Sequence, residues 1–330
     1  MLNRVVTFDK YGKSEVLHIK VEDVKENIED NDVLVKMSSF AINRANVLFR
    51  EGNYIMEASF PSRVGSEGVG IVEKIGSAVT NVNLGDRVNL LAPENESESG
   101  YFADYNIVNQ NKLLPTAKAF NDYEASTSWV PFLTVYSKFV EEDHVKKDDW
   151  IIIGAASSSV SLAAMNVSKH IGAKTIGLTR SNDKVETLLN LGYDEVIVTE
   201  DNNTVEKIKT TTSGGANFAF DPVGGDGIED IVNSLKQGSE LCVFGVLSQN
   251  TNLPIFSMMN TGVKISCYTI YELMMDKKRF DQAVNYFLPL FEKRKLSPVF
   301  DKNIFELKDV QKAFEFLESN KQVGKVLLKS

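Results

Sequence analysis

Trp150-Ile151-Ile152-Ile153-Gly154-Ala155-Ala156-Ser157-Ser158-Ser159-Val160-Ser161 passes from an apolar run, through a turn of small residues, into the start of a helix. The apolar run is short and has no polar face, so it is predicted to be a strand covered on both sides of a sheet. Val160 to Ile171 follows as a helix stopped by Gly172. A strand, a tight turn and a helix with free first-turn N–H groups make a site for the pyrophosphate of a dinucleotide. The turn departs from Gly-x-Gly-x-x-Gly, whose glycines permit the tight turn, close phosphate approach and close helix–strand packing. Ala and Ser add a Cβ at each of those places. Ser157, Ser158 and Ser159, with Val160, are the positions expected to meet the cofactor. Their hydroxyls either donate to phosphate oxygens or cap the helix.

The second strand, Thr175-Ile176-Gly177-Leu178, narrows the cofactor. A carboxylate about 20 residues past the turn would hold the ribose diol of NAD. This chain has Thr179-Arg180-Ser181-Asn182-Asp183-Lys184 instead. Arg180 and Lys184 beside a helix N-terminus suit a 2′-phosphate, which favours NADPH over NADH. Ser181 is expected to cap a helix running to Leu191. Further strands are predicted at 195–198, 218–221, 240–244 and 264–268, the segments between 195 and 264 alternating with helices. Alternation of this kind builds a doubly wound parallel sheet, an α/β Rossmann fold. Gly245, Val246 and Leu247 follow a strand's carboxyl end, where a ligand sits in such sheets.

Outward from this centre the pattern changes. The first third carries short β-rich runs, 33–37, 70–75 and 87–90, broken by Gly, Asn and Asp, as in a small barrel or sandwich. Pro93 to Gly100 is polar without apolar period and is predicted to be a mobile loop. Trp129, Phe132, Leu133, Tyr136, Phe139 and Val140 recur at helical spacing. So do Phe280 to Phe291 and Val310 to Leu317, and Lys325-Val326-Leu327-Leu328 closes the chain as a strand able to return to the first domain. The length of 330 residues exceeds what one core usually supports. A net charge of −9 argues against nucleic acid or an anionic membrane as partner. Cys242 and Cys267, the only cysteines, supply neither a disulfide framework nor a four-thiolate zinc site. No run reaches the ~18 apolar residues of a spanning helix, and a cytoplasmic protein is expected.

Several segments in one order resemble the medium-chain dehydrogenase/reductase superfamily, in its zinc-free quinone oxidoreductase branch. They are Asn43-Arg44-Ala45-Asn46 with Arg50-Glu51-Gly52-Asn53-Tyr54, and Gly65-Ser66-Glu67-Gly68-Val69-Gly70. Gly85-Asp86-Arg87-Val88, Leu133-Thr134-Val135-Tyr136, Phe220-Asp221-Pro222-Val223-Gly224-Gly225 and Gly324-Lys325-Val326-Leu327 complete the series. The serine turn resembles a subgroup written Ala-Ser-Ser-Ser-Val-Gly, with Ser161 in the last place. The resemblance implies a GroES-like β-barrel catalytic domain over 1–122 and a Rossmann NADP-binding domain over 123–268. It implies a segment, 269–330, returning to the first domain, an active site in the intervening cleft, and a homodimer through the sheet edge near Lys264. Zinc-dependent relatives hold their metal with a Cys at the position of Asn43 and a His at that of Ser66, so no metal is expected here.

Without a Lewis acid, the implied chemistry is hydride transfer from NADPH to a quinone or enone carbon. Asn43 is then the residue to orient the nicotinamide or polarise the substrate oxygen, and Tyr54 either donates a proton or lines the cleft. Arg44, Asn46 and Glu67 are expected around the substrate. Arg44 brings a cation to the cleft mouth or points to solvent, and Glu67 is expected to be buried and hydrogen-bonded. Thr134, Thr179, Val223 and Lys325 join the cofactor positions. Two alternatives stand beside this reading. One is an enoyl-thioester reductase of the same superfamily, for which Gly52-Asn53-Tyr54 speaks. The other is a non-catalytic NADPH-binding regulator, which the altered turn motivates.

Overall fold

The computed structural model of the chain describes residues 2–24, 27–93, 95–201, 203–248, 250 and 252–330. Contacts divide it into two units. The first comprises Met1–Val130, Phe291–Arg294 and Pro298–Ser330; the second comprises Pro131–Leu290 and Lys295–Ser297. The early strands are β1 (Leu2–Phe8), β2 (His18–Asp23), β3 (Asp32–Ile42), β4 (Ser62–Arg63) and β5 (Glu67–Ile75). After them come β6 (Arg87–Leu91), β7 (Tyr105–Asn109) and β8 (Leu113–Pro115). Helices α1 (Arg44–Glu51), α2 (Glu96–Ser99), α3 (Asp122–Ser126) and α4 (Trp129–Tyr136) intervene or follow. Next are β9 (Trp150–Ile153), α5 (Ser159–Ile171), β10 (Lys174–Thr179), α6 (Val185–Leu191), β11 (Glu195–Val198) and α7 (Thr204–Thr212). Then come β12 (Ala216–Asp221), α8 (Gly227–Ser234), β13 (Leu235–Val243), α9 (Ile255–Thr261) and β14 (Lys264–Cys267). The chain ends with α10 (Ile270–Met275), α11 (Lys277–Glu292), β15 (Phe300–Glu306), α12 (Val310–Glu318) and β16 (Lys325–Lys329).

In the first unit a sheet runs β15-β16-β3-β5-β6-β8, with β7 also on β3, and β2-β1-β4 form a second sheet. Their inner faces pack Phe8, Phe40, Phe49, Phe102 and the α12 residue Phe314 into one core. The last strand does return here: Val326 to Lys329 pair antiparallel with Ile42 to Ser39 of β3. Arg50 of α1 is fully buried, donating to Glu318 Oε1 (2.7 Å) and to the Gly12 carbonyl (3.0 Å), which ties α1 to α12. The polar stretch after Pro93 is not the expected loop: α2 occupies Glu96–Ser99, with Glu96 and Ser97 buried (Glu94 lies outside the described residues). Asn95 caps it by accepting the Ser97 N–H, a local bond that hydrophobic period cannot reveal.

In the second unit the sheet is β11-β10-β9-β12-β13-β14, with every pairing parallel. The chain leaves β9 toward β10 and later returns to its other side with β12, so the strand order reverses at β9. Ligands of doubly wound sheets sit outside the carboxyl end of that strand. Two local expectations are corrected. Ser181 does not cap α6; its hydroxyl bonds Asp183, and the helix begins at Val185 after a 3-10 turn. The helix at Trp129 widens into a π turn at Ser137–Glu141 instead of continuing as α. Among the described residues, no helix is long and apolar enough to cross a membrane.

Candidate functional site

Outside the end of β9 the chain turns sharply because Gly154 has no side chain. A Cβ there would lie 1.9 Å from Asp221 Oδ1. Asp221, buried at the end of β12, accepts the N–H groups of Val223 (3.0 Å) and Gly224 (2.7 Å). Burial nevertheless pushes its carboxyl up to about 6, because two backbone donors do not replace the water it loses. Ala155 takes a left-handed φ of +43°, and Ala156 packs where Gly177 of β10 leaves room. Tyr193, fully buried, places its hydroxyl 3.1 Å from the carbonyls of both Ala156 and Ser161.

The serines divide their roles. Ser158 is the N-cap of α5, accepting the Ser161 N–H at 3.2 Å and donating to Ser161 Oγ at 2.8 Å. Ser161, with no exposure, donates to the Gly154 carbonyl at 2.6 Å, so its hydroxyl stitches the helix to the strand end. It therefore takes the close-packing place with an internal hydrogen bond. Ser157 Oγ accepts from Lys184 Nζ at 3.0 Å. Ser159 and Val160 stand half-buried in the first turn of α5, where N–H groups have no carbonyl one turn earlier in the helix. Thr179 ends β10, and Arg180 beyond it is exposed. Val223 lies beside Gly245, Val246 and Leu247, since Leu247 N–H bonds Pro222 O (3.0 Å) and Ser248 N–H bonds Val223 O (2.9 Å). Thr134 is buried on α4, within the same unit.

The first unit holds a second polar cluster. Gly65 (φ +115°) and Gly70 frame Ser66 and Glu67: a Cβ would meet the Phe102 ring at 2.3 Å in one case and the Lys36 carbonyl at 2.4 Å in the other. Glu67 and Lys325 are both buried, with Nζ 3.6 Å from Oε2. Neither Glu67 oxygen receives a short, well-directed hydrogen bond. Burial pushes its carboxyl up to about 7, against the pull of Lys325, the Asn43 side chain and the Val130 N–H. Burial lowers the Lys325 ammonium from its ordinary value, opposed by Glu67. Lys325 also donates to Asn43 Oδ1 at 2.5 Å. Asn43 Nδ2 in turn donates to Ser66 Oγ (3.3 Å), while Asn46 Oδ1 accepts the Asn43 N–H (2.8 Å). Asn46 Nδ2 reaches both Ser66 Oγ (3.1 Å) and Glu96 Oε1 (2.8 Å), and Glu96 Oε1 also takes the Gly65 N–H (2.9 Å).

The expected site residues thus fall in two groups. Asn43, Asn46 and Glu67 meet in the first unit, and Lys325, expected beside the cofactor, is bonded among them. Arg44 is adjacent in sequence but turns to α12, donating to Leu317 O (3.1 Å) and Asn320 Oδ1 (2.6 Å). Tyr54 is half-buried against the core of the same unit. Sequence reading did not single out Ser66, Glu96, Tyr193 or Ser161 as parts of a site. Ser66 lay inside a quoted motif, whereas Glu96 stood in a polar run that gave no signal.

Comparison with known proteins finds two domain families along the chain. Residues 29–118 match the alcohol dehydrogenase GroES-like domain, and residues 159–288 match the zinc-binding dehydrogenase family. The chain is 29% identical over 329 residues to quinone oxidoreductase 1 of Escherichia coli, covering 98% of each. It is 28% identical over 334 residues to a Salmonella typhimurium quinone oxidoreductase, again covering 98% of each. The crystal structure of E. coli quinone oxidoreductase complexed with NADPH superposes with a TM-score of 0.89 at 26% identity, covering 99% of this chain and 100% of that one. With two domain families matched in order and relatives aligned end to end, the chain belongs to the medium-chain dehydrogenase/reductase superfamily, in its quinone oxidoreductase-like branch.

Proposed function

We propose that the protein is an NADPH-dependent, zinc-independent reductase delivering hydride to a quinone or an α,β-unsaturated carbonyl. The observation that carries the reading is the cluster of buried Lys325 and Glu67 with half-buried Asn43. Through the hydrogen-bonded Asn43 and Ser66 it offers neutral hydrogen-bonding groups at the two positions where zinc-dependent relatives offer metal ligands. The Lys325 ammonium 3.6 Å from Glu67 also disfavours a dication there on charge grounds.

A dinucleotide fits the second unit on its own residues. Gly154 leaves no space for a side chain at the turn, and the first-turn N–H groups of Ser159 and Val160 suit a pyrophosphate. Arg180 and Lys184 supply the cations for a 2′-phosphate. When bound, the dihydronicotinamide supplies hydride to an electrophilic carbon. The protein then has to hold the oxygen that turns into an oxyanion until a proton reaches it from solvent or from Tyr54. Asn43 is assigned to that oxygen. Tyr54, in the turn closed by Gly52 (φ +76°), is assigned to the substrate wall or to proton donation. The same turn motivates the second reading, an enoyl-thioester reductase. A cytoplasmic location and a homodimer belong to the proposal. The exposed edge strand β14, with Phe256 and Met259 of α9 projecting 84% and 74% exposed, supplies the surface to be covered.

The test is NADPH oxidation with 1,4-benzoquinone, a 2-alkenal and an enoyl-CoA in parallel, on protein of measured metal content. Turnover with the first two, unaffected by a chelator, is expected. Preference for the thioester favours the second reading, and NADPH binding without turnover favours a regulator. Arg180→Ala is expected to weaken NADPH at least tenfold and leave NADH unchanged. Equal binding of both dinucleotides by the unaltered protein contradicts the cofactor assignment.

A further inference from the structure

Each polar atom of the first-unit cluster has a direction forced by its neighbours. Lys325 has donors only, so Asn43 must turn Oδ1 toward it and Nδ2 toward Ser66. A flipped amide would set N–H against an ammonium. Asn46 is fixed in the same way, with Oδ1 on the Asn43 N–H and Nδ2 on Glu96 Oε1, which the Gly65 N–H holds in place. Ser66 Oγ therefore accepts twice, from Asn43 Nδ2 at 3.3 Å and Asn46 Nδ2 at 3.1 Å. A hydroxyl has two lone pairs and one hydrogen. Both lone pairs are used, and among the described residues no acceptor takes the hydrogen. The second Asn43 Nδ2 hydrogen is directed at Glu67, whose carboxyl the Asn43 side chain pulls down, so it is not spare. Exposure points the same way: Asn46, Glu67, Glu96 and Lys325 are buried, whereas Asn43 and Ser66 are half-buried and form the open face of the cluster.

We propose that Ser66 Oγ–H donates to a substrate carbonyl oxygen, making Ser66 a catalytic residue for hydride transfer. This rests on the carbonyl-reductase reading above and adds a residue to it. As hydride reaches the electrophilic carbon, its electron pair displaces the π pair toward the carbonyl oxygen. The Ser66 hydroxyl meets the charge that accumulates there, and the oxyanion then takes a solvent-derived proton. Lys325 and Glu96 are positioning residues, because they act through the amides of Asn43 and Asn46.

The experiment pairs kinetics with a non-reacting oxyanion. Ser66→Ala should lower kcat for enone reduction on the order of 100-fold, as loss of one oxyanion donor does, with NADPH affinity unchanged. Ser66→Thr, which keeps the hydroxyl, should restore most of the rate. In the NADP⁺ complex, 4-nitrophenol should bind as the phenolate with its absorbance pKa lowered, and Ser66→Ala should abolish that shift. Phenolate binding without turnover of any carbonyl substrate would leave the donor site standing and overturn the carbonyl-reductase reading alone. Turnover and phenolate titration both unaltered in Ser66→Ala would overturn the donor site. A wild type that does not lower the phenol's pKa would also overturn it.

Discussion

Glu67 and Lys325 face each other across 3.6 Å with almost no solvent contact. At an effective dielectric near 20 their attraction is about 4 kcal/mol. Desolvating each ion costs several kcal/mol, so the pair does not repay its own burial. Its consequence is orientation, since the ammonium dictates which end of the Asn43 amide faces Ser66. Lys325→Met should therefore destabilise the protein by about 3–5 kcal/mol at pH 8, where it strands a buried carboxylate. The sign of the pH effect follows from the raised Glu67 value. With a folded value of about 7 against an ordinary 4.5, the folded state binds the extra proton between those limits, and its stability falls as pH rises through them. Losing the cation pushes the carboxyl still higher, so the variant's deficit should shrink at pH 5, where the group is neutral. Urea unfolding at the two pH values checks this, and an equal deficit at both would contradict it. The burial of Glu67 was legible from the sequence, but its pairing with Lys325 was not. Glu67 was read as a buried, hydrogen-bonded carboxylate, and Lys325 was placed with the cofactor because its partner lies hundreds of residues away.

At the scale of elements, the strand–turn–helix centred on residue 157 was legible because its signals are local. An apolar run, a glycine and a capping serine lie within a dozen positions, and Gly154 and Ser158 each hold the place that local chemistry assigns them. The role of Ser161 was not legible. Its burial depends on β9, and its hydrogen bond runs back to Gly154. The stretch after Pro93 failed for a related reason, since α2 is held by a cap and by buried carboxylate bonds instead of an apolar stripe. Ser158→Ala should cost about 1 kcal/mol through loss of the N-cap. Gly154→Ala should be far worse, because its Cβ would be driven to within 1.9 Å of Asp221. Thermal unfolding with dinucleotide titration checks both: a well-folded Gly154→Ala variant with normal NADPH affinity would contradict the geometry of the turn.

At the scale of the whole molecule, the alternation of strands and helices made a parallel sheet legible, since each crossover needs a helix and each strand a covered face, while the order β11-β10-β9-β12-β13-β14 is given by the structure. What alternation could not give is the partner at the open edge. If β14 and α9 meet a second copy, light scattering should give twice the 36.7 kDa chain mass. Phe256→Asp with Met259→Asp should then yield a folded monomer; an unchanged mass would show that this surface is not the interface. Hydride transfer to a conjugated carbon is tested most directly by isotope tracing. NADPH carrying deuterium at the transferable C4 position is mixed with excess protein and an enone in a single turnover, and the product is read by mass spectrometry and NMR. One deuterium is expected at the β-carbon of the saturated ketone, with solvent hydrogen at the α-carbon. Unchanged enone, or a saturated product without deuterium at the β-carbon, would contradict it.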